Sequence, residues 1–360
     1  MKHLHNALQL GLRLAPTCSM TAALTLAFLP AQQTTRAAQA HAGLSNALLV
    51  RVQALQALLE GVRVEDDRMI FEGLNLHVRN GGGPNVSDGH GNLVLGFDEA
   101  SFDGGSHNVV VGSIHTYTNR RCLVTGRGNR GEGLEATLLG GELNRVTATS
   151  GVTVGGTNLR ASQNYAAALG GAGSDAAAPT SVVAGGLRGL TSDLGATVMG
   201  GADSEASGFC SSVRGGIVNS ATGDYATVLG GTSNVSSTTW ATVAGGQGGR
   251  AEGFRSTVVG GRNVSVLSDT AVGCGGSDHS ALLGSDFSTI VGGRNLQAFG
   301  QEGVLVGGEN NVLDPGSQYG SMIGGLQNRV GGFAASNSGG ANRWVTATWG
   351  WVAGSLFEQE

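Results

Sequence analysis

The sequence predicts an all-β protein, a parallel β-solenoid with coils of about 15 residues and one short N-terminal helix. Two observations carry this prediction. The hexapeptide Ala-Thr-Val-x-Gly-Gly at Ala226 recurs at Ala241, and anchor glycines continue in steps of 14 to 17 residues, with nine consecutive steps of 15 between Gly140 and Gly275. The residues before each anchor also alternate with a period of two, as the side chains of a strand do.

The repeat extends over about residues 92–354. A unit of this length cannot enclose a core alone, but stacked units bury a continuous one. The anchors are Gly96, Gly112, Gly126, Gly140, Gly155, Gly170, Gly185, Gly200, Gly215, Gly230, Gly245, Gly260, Gly275, Gly292, Gly307, Gly324, Gly339 and Gly354.

Each repeat predicts one short strand followed by a turn. The position two before the anchor is mostly aliphatic, the position four before is mostly Ala, Ser or Gly, and the position between them is often Thr or Ser. We therefore expect the first two columns to face inward and the hydroxyls to face solvent. Asn or Asp after the glycine pair indicates a turn. The predicted buried ladder consists of Val183, Val198, Val213, Val228, Val243 and Val258.

The predicted coil is thin. One buried Val-class side chain contributes about 1.5–3 kcal/mol, whereas ordering each residue costs about 1–2 kcal/mol. The Ala/Ser/Gly column therefore suggests close approach to another copy of the chain, with a monomeric solenoid as the alternative. Gly273 and Asn337 interrupt the aliphatic column and predict local irregularity. The 17-residue steps before Gly292 and Gly324 predict longer turns.

Residues 1–40 resemble a secretory signal peptide. Lys2 and Arg13 precede an apolar stretch at 20–30, and Ala38-x-Ala40 is a small-residue cleavage site. The apolar stretch is shorter than the roughly 20 residues that a bilayer span requires. We therefore expect the protein to be exported and to be secreted or held at the cell surface.

The remaining segments flank the solenoid. Residues 41–88 are expected to form a neck or cap, with a helix over 44–64 and a strand at Leu74, Leu76 and Val78. Residues 89–340 hold the repeats, and residues 341–360 are expected to form a C-terminal aromatic cap with Trp344, Trp349, Trp351 and Phe357. The helix has a heptad seam, which is a candidate assembly surface or the packing face of a capping helix. The seam residues are Leu48, Val52, Leu55, Leu59 and Val62.

Composition argues against several classes of function. The chain has 64 glycines and a net charge of −5, and removal of residues 1–40 leaves 18 Arg, no Lys and 26 acidic residues. An acidic chain without basic clusters is not typical of nucleic-acid binding. Cys122, Cys210 and Cys274 are too far apart for a zinc motif or a disulfide framework, and we expect small buried side chains there.

Motifs that would carry chemistry are weak. "GRGNRG" at 126–131 fits a nucleotide-binding pattern but lies inside the repeat. The "NVS" triplets at Asn85, Asn234 and Asn263 are interpreted as turns rather than glycosylation sites. His90, His107 and His115 are interpreted as surface or turn residues rather than metal ligands. Acidic residues do not recur in one column, so we predict no catalytic residues, no cofactor, no metal and no enzyme activity.

Aromatic residues recur five or six positions before the anchors and would line one edge of the stacked coils. They are either an exposed stripe that binds a glycan or another surface, or a cover for the turn or a contact between chains. The residues are Tyr165, Phe209, Tyr225, Trp240, Phe254, Phe287, Tyr319, Phe333 and Trp349. The candidate binding stripe is Tyr165, Tyr225, Trp240, Phe287 and Tyr319.

The V-x-G-G strands, Asn turns, heptad segment and signal peptide together resemble the heads of trimeric autotransporter adhesins, the YadA-like family. "GHGNLVLGFDE" (89–99) and "GSHNVVVG" (105–112) are similar to an entry module of secreted bacterial repeat proteins. The resemblance implies a left-handed β-roll, a homotrimer and cell adhesion. The chain departs from the family in having Gly where a second large aliphatic residue is usual. It ends in "WVTATWGWVAGSLFEQE", without the family's stalk and barrel, so no self-made membrane anchor is expected.

The sequence therefore predicts an exported, non-enzymatic protein with a surface-binding or structural role. Two alternatives stay open. A monomeric β-helix enzyme acting on polysaccharide would need acidic and Arg side chains converging on one face. An ice-binding solenoid would need regular Thr ladders, which Val, Leu, Ala and Ser interrupt here.

Overall fold

The structure is a computed structural model that describes residue 43 and residues 46–56, 62–97 and 104–354. The predicted signal peptide, 1–40, lies outside the described residues, as do Leu59 and Phe357. The chain divides into two compact units, Met1–His77 and Val78–Glu360. Each unit is described by itself below.

The first unit contains a helix at 46–56 and a β-hairpin. Strands β1 (Val62–Glu65) and β2 (Arg68–Phe71) pair antiparallel, with Glu65 opposite Arg68. Asp66 forms the tight turn with a φ of 52°. Val62 therefore belongs to a strand and not to the predicted helix. The strand predicted at Leu74, Leu76 and Val78 is wrong, because residues 72–80 form no strand.

The second unit is the predicted parallel β-solenoid. Each coil adds one strand to each of two sheets, and neighbouring strands pair in parallel one repeat apart, as Thr227 does with Thr242. A third ladder of single-residue bridges, such as Thr232 to Gln247, joins the bends between the sheets.

The first sheet carries the longer strands and the second sheet carries two-residue strands. The first sheet contains Leu93–Phe97, Val109–Ser113, Leu123–Arg127, Thr137–Leu139, Val152–Val154, Ala167–Leu169, Val182–Ala184, Thr197–Met199, Ser212–Val213, Thr227–Val228, Thr242–Val243, Thr257–Val259, Val272–Cys274, Thr289–Val291, Val304–Val306, Ser321–Ile323, Ser336–Ser338 and Trp351–Ala353. The second sheet contains Thr116–Tyr117, Arg130–Gly131, Arg145–Val146, Arg160–Ala161, Asp175–Ala176, Leu190–Thr191, Glu205–Ala206, Ser220–Ala221, Val235–Ser236, Arg250–Ala251, Ser265–Val266, Ser280–Ala281, Gln297–Ala298, Val312–Leu313, Arg329–Val330 and Trp344–Val345.

The core is the narrow space between the two sheets. The predicted valine ladder is confirmed: its six members pair in register, and each is at most 1% exposed. The Ala/Ser/Gly column also lies in this space, since Ala226 and Ala241 are fully buried within one chain. The expectation that this column faces a second chain is therefore wrong.

The small column exists because the sheets approach closely. Where one strand carries Gly, the opposite strand carries a larger residue that fills the gap. A Cβ added at Gly151 would lie 2.7 Å from Val146 Cγ1, and one added at Gly303 would lie 2.6 Å from Leu313 Cδ1. This exchange of volume across the core keeps the packing dense without changing the coil path.

The two interruptions of the valine column leave the ladder intact. Gly273 pairs with Val258 and Ile290, and Asn337 pairs with Met322 and Val352. The predicted irregularity at Gly273 and Asn337 is therefore wrong. The predicted longer turns are confirmed, because the two extra residues of each 17-residue step form an additional turn at 283–284 and at 315–316.

A buried asparagine ladder joins the coils inside the core. The amide N–H of Asn234 donates to Asn219 Oδ1 (3.0 Å), and the amide N–H of Gly249 donates to Asn234 Oδ1 (2.8 Å). Asn234 Nδ2 donates to the carbonyls of Gly230 (2.7 Å) and Gly246 (3.1 Å). Asn234 thus satisfies the buried amide N–H of Gly249 and adds a second hydrogen bond to the carbonyl of Gly246, which also accepts from the amide N–H of Thr232.

This ladder corrects part of the turn prediction. Asn158, Asp203, Asn263 and Asn295 have a left-handed φ of 51–56° and are turn residues as predicted. The asparagines one position later in the repeat point inward instead. They are Asn144, Asn219, Asn234 and Asn328.

Candidate interaction surfaces

The predicted aromatic residues line one edge of the solenoid, at the turn that returns from the second sheet to the first. We call this the aromatic edge. All five members of the candidate binding stripe are exposed. Their backbone φ angles lie between 56° and 63°. A bulky residue rarely adopts this left-handed conformation. The same turn position has a left-handed φ in every coil from Tyr165 to Tyr319, yet Gly195 is the single glycine at that position among these coils. The aromatic side chains are therefore not selected for turn formation.

Within the edge, the rings form two packed groups. Tyr225 and Trp240 stack with ring centroids 4.2 Å apart and planes 5° apart, and Phe209 meets Tyr225 edge-on at 5.2 Å. Phe333 meets Tyr319 and Trp349 edge-on, at 5.4 Å and 5.8 Å. Because each stacked ring has one face covered by its neighbour, these groups also stabilise the turns, as the alternative interpretation expected.

Tyr165 and Phe287 complete the stripe without a ring partner among the described residues. Carboxylates lie beside the rings and are held by the backbone. Asp224 Oδ1 accepts from the amide N–H of Phe209 (3.1 Å), and Asp269 Oδ1 accepts from that of Phe254 (2.8 Å). The edge thus combines flat apolar rings with fixed acceptors.

The second sheet and the bends that precede it form a charged face. Arg and acidic residues of neighbouring coils pair across it, as in Arg127–Glu142 (2.8 Å) and Arg145–Glu132 (2.7 Å). Partial burial alone would raise the pKa of Glu132, but the guanidinium groups of Arg145 and Arg130 lower it below its usual value. The carboxylates of Glu132 and Glu142 thus lie on different coils, and each is paired with an Arg.

The outward side of the first sheet is apolar, and sequence reasoning missed this. Besides the half-buried Thr column, the residue directly before each anchor glycine faces outward and is mostly aliphatic. We call these two columns together the aliphatic face. In the column directly before the anchor, the exposed large side chains are between 37% and 60% accessible: Leu95, Val111, Leu139, Val154, Met199, Leu229, Val259, Val291 and Ile323. Its one charged side chain is Arg214.

The three tryptophans of the last described coil point outward on three sides. Trp344 lies over the Arg329 guanidinium (5.7 Å), Trp349 packs against Phe333, and Trp351 Nε1 donates to Ser338 Oγ (3.4 Å). Each contacts the preceding coil, and all three are exposed rather than gathered across the end of the solenoid.

The structure describes four of the five residues of the candidate assembly seam, and Leu59 lies outside the described residues. Leu48, Val52 and Leu55 lie on the helix 46–56 and are exposed. Val62 lies in β1, so a continuous helical seam cannot include it. No helix within the described ranges is long and apolar enough to cross a membrane.

The histidines do not converge. His90 is exposed, His107 is half-buried, and His115 is fully buried in the column of the asparagine ladder. Its Nδ1 accepts from the amide N–H of Asn129 (3.3 Å). His279 occupies the same column, and its Nδ1 accepts from the amide N–H of Leu296 (3.3 Å). Residues 46–56, 62–97 and 104–354 contain no group of three side chains that could hold a metal.

The remaining motifs are absorbed by the repeat. In "GRGNRG", Asn129 is a ladder residue whose Nδ2 donates to the carbonyls of Thr125 (2.6 Å) and Gly140 (3.0 Å). Of the "NVS" asparagines, Asn234 is buried, whereas Asn85 and Asn263 are exposed.

Within the part of the chain that the structure describes, Cys122, Cys210 and Cys274 are free thiols in different environments. Cys122 is buried as expected, and burial raises the pKa of its thiol to about 11. Cys210 is exposed on the aromatic edge, contrary to expectation, and Cys274 lies partly exposed on the aliphatic face.

One cavity of about 430 Å³ opens near the start of the second unit. Its lining consists of Arg79, Asn80, Gly81, Gly83, Pro84 and His107. No acidic side chain lines it, so it lacks the pair of carboxyl groups, roughly 5–9.5 Å apart, that most glycosidases use.

The chain matches no protein-family model and no curated protein significantly. The fold therefore defines the class of protein, a parallel β-solenoid with three distinct outer surfaces.

Proposed function

We propose that the chain is an exported, non-enzymatic surface-binding protein that acts as a homotrimer, similar to the heads of trimeric adhesins. The observation that carries the proposal is the aromatic edge. Exposed Tyr, Trp and Phe recur at the same turn position in five coils between Tyr165 and Tyr319. Exposed rings along one line favour a role in recognition.

A glycan is the ligand class that the edge fits best. Sugar rings pack their C–H faces on aromatic rings, and their hydroxyls donate to carboxylates such as Asp224 and Asp269. Tyr165 and Phe287 have no ring partner among the described residues, and each is more than half exposed. A purely structural role for the packed groups is the second candidate, favoured by the stacked Tyr225–Trp240 pair.

The proposal is tested by binding of the purified protein to immobilised polysaccharides and to whole cells. Replacing Tyr165 and Phe287 together with Ala should lower binding at least tenfold. The matched control is Trp344→Ala, which removes an equally exposed ring from the charged face. Equal binding by both variants would exclude the aromatic edge as the recognition site.

The two alternatives have direct assays. Release of reducing ends from polysaccharides would support the enzyme interpretation, which the ion-paired and dispersed acids do not favour. Thermal hysteresis would support ice binding, for which the interruption of the Thr column by Val152, Ala167 and Val182 is unfavourable. We expect neither activity.

A further inference from the structure

The turn that carries the aromatic edge is polar in the first coils. The position five residues before the anchor glycine is occupied there by His107, Arg121 and Glu135, and Tyr165 follows His107 by four coil steps. His107 and Arg121 have left-handed φ angles of 59° and 60°, as the stripe residues do. With a rise of about 4.8 Å per coil, His107 lies roughly 19 Å from Tyr165 along the edge. A group of polar side chains therefore continues the line of the rings towards the start of the solenoid.

The cavity of about 430 Å³ opens at this end of the edge. Its volume lies within the range of pockets that hold small ligands, about 300–1,000 Å³. His107 is the edge residue in the lining, and the remaining lining residues are Arg79, Asn80, Gly81, Gly83 and Pro84. The lining thus contains one permanent charge, the guanidinium of Arg79, and no carboxylate.

The loop that forms the cavity wall is held by its own hydrogen bonds. Asn80 Oδ1 accepts from the amide N–H groups of Gly82 (3.1 Å) and Gly83 (3.2 Å), and Asn80 Nδ2 donates to the carbonyl of Val86 (3.1 Å). A Cβ added at Gly91 would lie 2.8 Å from the backbone nitrogen of Asn80, so the start of the loop packs directly on the chain that enters the first coil. The wall is therefore a built part of the fold.

Arg121 joins this loop to the edge. Its Nη2 donates to Asn85 Oδ1 (2.7 Å) and to the carbonyl of Pro84 (3.4 Å), and its Nη1 pairs with Glu135 (2.7 Å). Glu135 also accepts from Ser150 Oγ (3.3 Å). These two charges of the edge therefore neutralise each other beside the cavity.

Two side chains of the lining lack partners among the described residues. Arg79 is exposed and makes no ion pair there, and neither ring nitrogen of His107 makes a hydrogen bond there. His107 Nδ1 is also buried. Buried polar atoms are almost always hydrogen-bonded in folded proteins. A guanidinium and an imidazole that line one cavity together supply N–H donors without an acceptor.

Asp88 follows the loop but is not part of the lining. Its Oδ1 accepts from the amide N–H of His90 (3.0 Å) and from Ser106 Oγ (2.9 Å). The hydrogen bond from the His90 backbone lowers the pKa of this carboxyl group. Because Asp88 is used in this way, Arg79 keeps an uncompensated positive charge.

We propose that this cavity binds the anionic group of an acidic sugar unit, at the start of a glycan that lies along the aromatic edge. The inference rests on the glycan binding of the proposed function and names its substrate class, an acidic polysaccharide. A guanidinium donates two parallel hydrogen bonds to a planar carboxylate, and the imidazole adds a further donor. One positive charge matches a singly charged group, a carboxylate or a sulfate ester, better than a doubly charged phosphate.

The cavity and the rings would then have different roles. Aromatic rings from Tyr165 onward contact the C–H faces of neutral and acidic sugars alike, whereas the cavity distinguishes sugars by charge. Removing the charge of Arg79 should therefore change which glycans bind and leave the ring contacts intact.

The test measures binding of the full chain by isothermal titration calorimetry to three probes: oligogalacturonate, which carries carboxylates, a sulfated galactan, and neutral dextran. The cavity variant is Arg79→Gln. The matched control is Arg214→Gln, which removes an exposed and unpaired guanidinium from the aliphatic face. Arg79→Gln should weaken binding of an anionic probe at least tenfold, the loss expected for a hydrogen bond to a charged group. Arg214→Gln should leave it unchanged. The probe that shows the loss identifies the anionic group.

His107→Asn gives a second variant that keeps the net charge of the neutral imidazole. Asn tolerates the left-handed φ of this turn, so the melting temperature should change little. Binding of the anionic probe should weaken in the same direction as in Arg79→Gln.

A monosaccharide isolates the cavity from the rings, because one sugar cannot span the roughly 19 Å to Tyr165. Ligand-observed NMR should detect galacturonate, but not galactose, on the wild-type protein. Neither sugar should be detected with Arg79→Gln.

The proposal would be overturned if the wild type bound neither anionic probe more tightly than dextran, or if Arg79→Gln and Arg214→Gln bound them equally well. If the variant with Tyr165→Ala and Phe287→Ala still lost binding in that case, the proposed function would stand, with the rings alone holding the glycan. The reverse result, loss in Arg79→Gln and none in the ring variant, would retain the cavity as the anionic site and exclude the aromatic edge.

Discussion

At the scale of single residues, the asparagine ladder is the main polar support of the core. Asn234 is fully buried, its side-chain amide bonds backbone atoms of two coils, and its own amide N–H donates to Asn219 Oδ1 of a third. Replacing it with Ala would leave the buried amide N–H of Gly249 without a partner, whereas the carbonyl of Gly246 would keep its hydrogen bond from the amide N–H of Thr232 (2.9 Å).

We expect Asn234→Ala to lower the free energy of unfolding by about 1–3 kcal/mol, the cost of stranding a buried hydrogen-bonding group. Chemical denaturation measures the change. Asn263→Ala, at an exposed turn, is the control and should change stability by less than about 0.5 kcal/mol. Equal effects at the two sites would show that the ladder contributes no net stability.

His279 makes the same column sensitive to acid. Burial lowers the pKa of its imidazole, while Asp278 and the backbone at Gly292 oppose that shift. Its Nδ1 accepts a backbone hydrogen bond, and its Nε2 has no partner. Protonation would place a positive charge in the core. It would also turn Nδ1 into a donor that faces the amide N–H of Leu296.

Because the folded state binds this proton less tightly than the unfolded state, stability should fall as the pH drops below the ordinary histidine range, near 6.5. His279→Asn, which restores the ladder residue, should reduce the stability difference between pH 7.5 and pH 5.5. His77→Asn, at an exposed position, should leave that difference unchanged. Melting curves at the two pH values would refute the idea if both variants behaved like wild type.

At the scale of elements, the glycine pair sets the coil geometry. Gly231→Ala forces a Cβ against the next carbonyl oxygen at 2.2 Å, and its φ of +87° disfavours any side chain. We expect a loss of more than about 2 kcal/mol in stability. Gly230→Ala should be nearly neutral for the coil itself. Urea denaturation of both variants at a low protein concentration separates coil stability from assembly.

The sequence predicted the elements that repeat with a simple period. The valine ladder and the left-handed turns at Asn263 and Asn295 follow from alternation and turn chemistry. The asparagine ladder was missed because Asn234 and Asn219 share their column with Leu159, Gly189 and His279, so no single residue type marks it.

Other features depend on which atoms meet in space. Ala226 was assigned to a chain interface because an alanine column does not reveal whether a sheet or another chain lies opposite. The residue before the glycine pair was not recognised as an exposed apolar column, since Leu229 and Val228 look alike in sequence and differ only in the side of the strand. The hairpin at 62–71 was missed because its alternation merges with the preceding heptads.

At the scale of the whole molecule, the proposed assembly has one candidate contact in the first unit, the helix seam. Leu48, Val52 and Leu55 lie on the helix 46–56 and are exposed in the single chain. Apolar side chains at heptad spacing favour packing against the same helix of another copy.

The helix seam supplies the last prediction. Leu55→Asp places a charge on the exposed apolar side of the helix and should raise the dissociation constant of the assembly at least tenfold. Gln53→Asp, which adds the same charge outside the seam, should not. Sedimentation over a range of protein concentrations measures both, and near-unchanged circular dichroism would show that the coil ladder is intact. If Leu55→Asp and Gln53→Asp sediment alike and both match the wild type, the seam does not join the copies.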